Sequence, residues 1–232
     1  MPLVYVVYGM AKSGSALAFR LTQEILMQSG HDQALLPRML VGDRRENFLR
    51  DTKVETMRAA LAVAGSERRA TLAVKTHTGL RPKVAEMVAD DEIGAVAVAR
   101  DPRDIACAIL ESARHGGAWS LPGGEPVHDI EGAMSIVRNH VAKFLSWAEQ
   151  DHVITLSHTD LTQHTVRAAR HIAVDLGLRC DAVAAAEAVL GGETSLPAQE
   201  PRHLRDMSEE AVRHYGREFE HFIQTYCRAT LG

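Results

Sequence analysis

Several kinds of residue pattern are scarce in this chain, and each scarcity excludes a class of protein. There are three cysteines in 232 residues, and Cys107, Cys180 and Cys227 are scattered, odd in number and without metal spacing. A disulfide framework is excluded and reduced thiols are expected. No stretch approaches the roughly 20 apolar residues that a membrane helix needs, so no membrane span is expected. Excess positive charge is also missing. A formal net charge of −4 offers no general attraction to nucleic acid or to an anionic lipid surface. Histidine is plentiful, with 12 residues, but none stands in H-E-x-x-H or in H-x-E with C-x-x-C, and no metal is expected. The N-terminus enters a strand almost at once, which predicts no signal peptide and a cytoplasmic location.

What is present fits one α/β domain spanning residues 1–232. Hydrophobic residues make up 46% of the chain, enough for one substantial core. Apolar runs predict strands at 3–8, 70–75, 93–99 and 152–157. Helical periodicity predicts helices at 14–29, 52–64, after Pro82, 102–114, 129–149, 162–177, 181–190 and 208–228. Pro102 suits the first turn of its helix. Residues 37–50 and 116–126 are read as loops, the second rich in turn formers. Strands alternating with helices imply parallel pairing through crossovers. The expected fold is therefore a three-layer α/β fold of P-loop type, with a central parallel sheet of about four to five strands flanked by helices.

The segment from Tyr5 to Phe19 says most about chemistry. An apolar strand runs into a glycine turn that opens directly into a helix, and Gly9 and Gly14 have the G-x-x-x-x-G spacing of a phosphate-binding loop. Backbone N–H groups at such a helix start, aided by the helix dipole, suit a phosphate. In nucleotide-hydrolysing proteins a lysine follows the second glycine. Here Ser15 follows it, and the lysine is Lys12, inside the loop. Two further strands also end in polar groups, at Lys75-Thr76-His77 and at Arg100-Asp101-Pro102-Arg103-Asp104. In open parallel sheets that edge is where ligands bind.

These residues resemble a known family. Ala11-Lys-Ser-Gly-Ser15 is similar to the 5′-phosphosulfate loop of cytosolic-type sulfotransferases, P-K-S-G-[ST]-T. Lys75-Thr76-His77 resembles their K-T-H, and Arg100-Asp-Pro-Arg-Asp-Ile-Ala106 resembles R-[ND]-P-[RK]-D-[VI]-A. Ser157-His-Thr-Asp-Leu161 stands where the family has Y-E-D-L, and the helix ending Leu176-Gly177-Leu178 follows as F-L-G-L does. The matches keep family order over roughly residues 3–180.

The resemblance implies sulfuryl transfer from 3′-phosphoadenosine 5′-phosphosulfate (PAPS) to a hydroxyl or amine of a small-molecule acceptor. The product nucleotide would be 3′-phosphoadenosine 5′-phosphate (PAP). In-line positioning and charge stabilisation supply most of the catalysis in such transfers. Lys12 would neutralise the leaving phosphate, with Lys75 contacting the transferring group from the next strand. The N–H groups of Ser13, Gly14 and Ser15 would hold the 5′-phosphate. Arg100 would anchor the 3′-phosphate, since a guanidinium binds phosphate bidentately; an ion pair with Asp101 or Asp104 is its alternative. Arg103 and Asp104 would pair with each other or cap their helix. His77 is the candidate general base, a histidine titrating near working pH, against a plain strand-end histidine bonded to backbone. His158 stands at the place of an adenine-contacting tyrosine, against a solvent-facing histidine.

The chain departs from the family at three places. Ala16 replaces a threonine near the 5′-phosphate, Ala108 replaces the serine that helps bind the 3′-phosphate, and the C-terminal R-K-G-x-x-G segment is absent. Arg202 and Arg205 are candidates to replace that segment. These losses keep open a catalytically degenerate nucleotide-binding or partner-binding relative. A P-loop kinase-type transferase is disfavoured by Ser15 and by Arg100, which stands where a Walker B strand expects an apolar residue. Trp119, Leu121 and Pro122 suit an apolar acceptor, whereas Arg38, Arg44 and Arg45 suit an acidic one. Oligomeric state is left open.

Overall fold

The computed structural model describes residues 1–42, 46–66, 70–121 and 123–229. Val4–Gly9 forms β1, Leu72–Thr76 forms β3 and Ile93–Ala99 forms β4, and their side chains are buried throughout except at Gly94. Strands covered on both faces read as continuous apolar runs rather than alternating ones, which is why all three were legible. Val153–Ser157 is β5. With β2 at Phe48–Leu49, the five strands are all parallel, in the order β2-β3-β1-β4-β5. β1 lies between β3 and β4, so the chain crosses from one side of β1 to the other after β3, and such a switch opens a crevice beyond the strands' C-terminal ends.

Strand alternation splits the core in two. Val4, Val6 and Tyr8 of β1 face α3 (Val54–Ser66), α4 (Pro82–Ala89), α5 (Pro102–Arg114) and α6 (Ile130–Ala148). Tyr5 and Val7 face α1 (Ser15–Gln28), α8 (Thr165–Asp175) and α9 (Ala182–Leu190). The aromatic residues of the C-terminal segment, Tyr215, Phe219 and Phe222, are buried in the first of these halves. Among the described residues no helix is long and apolar enough to cross a membrane.

Four parts differ from expectation. Residues 37–50, read as a loop, contain a short helix α2 (Arg38–Val41) and a two-residue strand β2 (Phe48–Leu49). Two residues carry no periodicity, so β2 exists only through its pairing with Lys75 and Thr76. The single helix expected at 162–177 is two: α7 (His158–Gln163) and α8, broken at His164. Ser157 starts α7 early through a capping box with Asp160, whose carboxylate accepts from the Ser157 N–H and hydroxyl. The last helix is likewise divided, into α11 (Glu209–Glu218), α12 (Glu220–Phe222) and a π-helical turn over Ile223–Cys227. Ahead of it, Arg202–Asp206 forms the unforeseen short helix α10.

Candidate functional site

The loop between β1 and α1 is shaped by close approach. A Cβ on Gly9 would lie 2.4 Å from the Cβ of Ser15, so only glycine lets the strand end meet the helix start. Gly14 and Lys12 adopt left-handed backbone, at φ 96° and 66°. The Ser13 N–H is used inside the loop, donating to the Met10 carbonyl at 3.0 Å. It is therefore a turn-forming group, in contrast to its expected role as a phosphate donor. The first-turn N–H groups of α1, at Ser15 and Ala16, have no intrahelical acceptor by construction. The hydroxyl of Ser13 is fully buried and has no hydrogen-bond partner among the described residues.

Histidines flank this loop on two sides. His77, just past β3, donates from Nδ1 to the Gly9 carbonyl at 2.5 Å, and the edge of its ring meets Phe48. That bond assigns the proton to Nδ1 and leaves Nε2 as the basic nitrogen. His140 of α6 is buried, and its Nδ1 accepts the Ala11 N–H at 3.3 Å. Burial, with Lys143 and His77 nearby, lowers its pKa to about 4, so it is neutral at neutral pH. Sequence reasoning missed His140. Its signal was helical spacing with Val137, Val141 and Phe144, which places it on the buried face of α6.

Arg100 and α5 form the other wall. Arg100 donates from Nη1 to the Lys12 carbonyl at 3.2 Å and pairs with Asp104 at 3.5 Å, while its Nε is buried without a partner among the described residues. Both expectations for Arg100 are thus compatible: it lines the cleft and also forms an ion pair. The expected Arg103–Asp104 pair is absent. Arg103 instead pairs with Asp101 at 2.6 Å, and Asp101 caps α5 through the Arg103 N–H. Asp104 accepts from His203 Nδ1 at 2.8 Å and from the His203 N–H at 3.1 Å. Burial pushes its carboxyl up, but the His203 hydrogen bonds and Arg100 outweigh this and the net shift is downward.

One open cleft of about 460 Å³ gathers Lys12, Gly14, Arg100, Ala108, His158 and Arg202 along its lining. His158 packs against Gly14, with Cδ2 3.2 Å from where a Gly14 Cβ would stand. Burial, then Arg100, lowers its pKa to about 4, so it is neutral and packed rather than solvent-facing. Arg202 reaches the cleft from α10, whereas Arg205 pairs with Asp206 at the surface. Ala16 is exposed on the first turn of α1. Lys75 is placed differently from the rest. It shares a sheet face with Ala73, lies over the rings of Phe19 and Phe48, and bonds Glu46 at 2.9 Å. Trp119 faces Lys12, whose Nζ is 5.9 Å from the ring centroid. Arg44, Arg45 and Pro122 lie outside the described residues.

No protein-family model and no curated protein matches this sequence. Solved structures do match it. Retinol dehydratase in complex with androsterone and inactive cofactor PAP aligns with a TM-score of 0.59 at 14% identity, covering 99% of this chain and 83% of that one. The chain has the sulfotransferase fold. A retinol dehydratase complex with retinol and PAP aligns at 0.56 and 15% identity, over 97% of this chain and 82% of the other. Mouse sulfotransferase SULT7A1 complexed with PAP aligns at 0.55 and 11% identity, over 96% and 84%. At these identities the likeness is one of fold.

Proposed function

We propose that the protein transfers a sulfuryl group from PAPS to a hydroxyl or amine of a small-molecule acceptor. The observation that carries this reading is the cleft itself. Lys12, Arg100 and Arg202 converge on it beside a glycine loop at a helix start. The residues fit a nucleotide with phosphates at both ends. Ser13 Oγ and Arg100 Nε are buried polar groups lacking a partner among the described residues, a costly state that an anionic ligand relieves. Both solved retinol dehydratase complexes and the SULT7A1 complex contain PAP, in keeping with a nucleotide of this kind.

In this reading the first turn of α1 and the Ser13 hydroxyl hold the 5′-phosphate, and Arg100 and Arg202 hold the 3′-phosphate. His158 lies beside the base, and Ala108 and Ala16 leave their share of the contacts to these groups. PAPS supplies the sulfuryl group when bound. Lys12 places a positive charge where the leaving phosphate develops its own. His77, protonated at Nδ1 by its bond to Gly9, presents Nε2 to take the acceptor's proton. Lys75, held by Glu46, supports the charge of the site from below. Trp119 beside Lys12 offers an apolar wall to the acceptor.

Calorimetric titration with PAP, without metal, tests this reading. Micromolar binding that is lost in Arg100→Ala supports the sulfotransferase-type pocket and leads to an acceptor screen. Preference for Mg-ATP would replace it with the kinase-type reading. PAP binding without turnover on any acceptor would leave the degenerate relative.

A further inference from the structure

The cleft also contains a carboxylate that the proposed chemistry does not use. Glu111, near the end of α5, lines the cleft together with Arg202, and the two side chains form an ion pair across it. The Arg202 partnership holds the Glu111 carboxyl below its ordinary range, so it is ionised at neutral pH. The carboxylate paired with Arg100 behaves differently. Asp104 is buried and fixed by two hydrogen bonds from His203, so its pairing with Arg100 is part of the fold. Glu111 and Arg202 keep 54% and 34% of their side-chain surface in solvent. An ion pair that exposed is weak, and a phosphate offers a guanidinium a stronger bidentate partner.

We propose that Glu111 is a selectivity residue that competes with the nucleotide's 3′-phosphate for Arg202. The guanidinium is occupied by Glu111 until a ligand carrying a second anion displaces the carboxylate. This inference rests on reading the cleft as a PAP site. It also gives the competition a definite sign: neutralising Glu111 favours ligands with a 3′-phosphate, while a nucleotide lacking that group has nothing to exchange.

The test is calorimetry with PAP and with adenosine 5′-phosphate on the wild-type protein, Glu111→Gln, Arg202→Ala and the double variant. Glu111→Gln tightens PAP about two- to five-fold, the fold-change equivalent to an exposed ion pair. Adenosine 5′-phosphate affinity changes by less than about two-fold, and the gain for PAP disappears when Arg202 is alanine. Weaker PAP binding in Glu111→Gln would overturn the proposal, as would an equal gain for both nucleotides. A gain that persists without Arg202 would show simple repulsion rather than competition. Failure of the wild type and of Glu111→Gln alike to bind PAP would instead overturn the reading of the cleft, and the inference with it.

Discussion

His77 and Gly9 are joined across the C-terminal edge of the sheet, with imidazole Nδ1–H donating to the glycine carbonyl at 2.5 Å. A bond to backbone is what a merely structural strand-end histidine would make, yet here it also selects the tautomer a general base requires. The same glycine ends β1 and begins the loop to α1. His77 and the loop are therefore referenced to one backbone atom.

Replacing His77 by alanine should lower turnover by about 10²–10⁴ while leaving PAP affinity near wild type. Steady-state kinetics on an acceptor found by screening, paired with calorimetry, separates the two effects. Unchanged turnover would remove His77 from the mechanism.

Arg100→Ala removes the guanidinium from the cleft. A charge-assisted hydrogen bond contributes about 1.5–3 kcal/mol, so PAP should bind about 10- to 100-fold more weakly. Asp104 keeps both hydrogen bonds from His203, so the fold should persist. Arg100→Lys should fall between, since lysine keeps the charge and loses the planar fork. Equal affinity for PAP in all three proteins would show that the 3′-phosphate binds elsewhere.

His140 should make stability depend on pH. Its folded pKa, about 4, lies below the ordinary 6.5, so between these values the unfolded chain binds more protons. Stability is then complete above about pH 6.5 and is lost as pH falls toward 4. The contribution is at most about 3 kcal/mol, on the scale of 1.36 kcal/mol per pKa unit. His140→Asn keeps an acceptor for the Ala11 N–H and should flatten part of the melting-temperature profile over this range. His158, also displaced to about 4, would account for what remains. An identical profile in His140→Asn would exclude His140 as a source.

Two glycine substitutions should act in opposite directions. Gly9→Ala drives a Cβ to 2.4 Å from the Ser15 Cβ, an atom that cannot rotate away, and should lower the melting temperature and weaken PAP binding. Gly65, exposed in α3, has only the tip of Leu3 within 4.0 Å among the described residues. Gly65→Ala should stabilise by about 0.5–1 kcal/mol, raising the melting temperature by about 1–4 °C. Thermal melts of both variants decide this, and a Gly9→Ala protein as stable as wild type would refute the close-packed account of the loop.

The major strands and the glycine loop could be read from sequence because their signals are local. Runs such as Val4–Tyr8 and Ile93–Ala99 are apolar without interruption and end in glycine or charge. Lys12, Gly14 and Arg100 were visible as types at strand or helix ends, and Ala108, His158 and Arg202 through the family resemblance, although 190 residues separate the first from the last. The parallel pairing implied by the alternation of elements puts the strand-end residues on one edge, and the sheet order and α10 complete the cleft.

Direction and partnership were decided by tertiary structure. Lys75 and His77 are two residues apart, yet Lys75 is held between α1 and β2 by Phe19, Phe48 and Glu46. His140 became part of the site because α6 lies across the loop, and Arg103 chose Asp101 over Asp104 because His203 and Arg100 had claimed Asp104. Whether Arg202 faces a ligand or Glu111 depends on α10 packing against α5. The physical reason is common to all of these. Residue type and period are encoded locally, but the partner of a charge is set by which distant groups share its volume and its solvent.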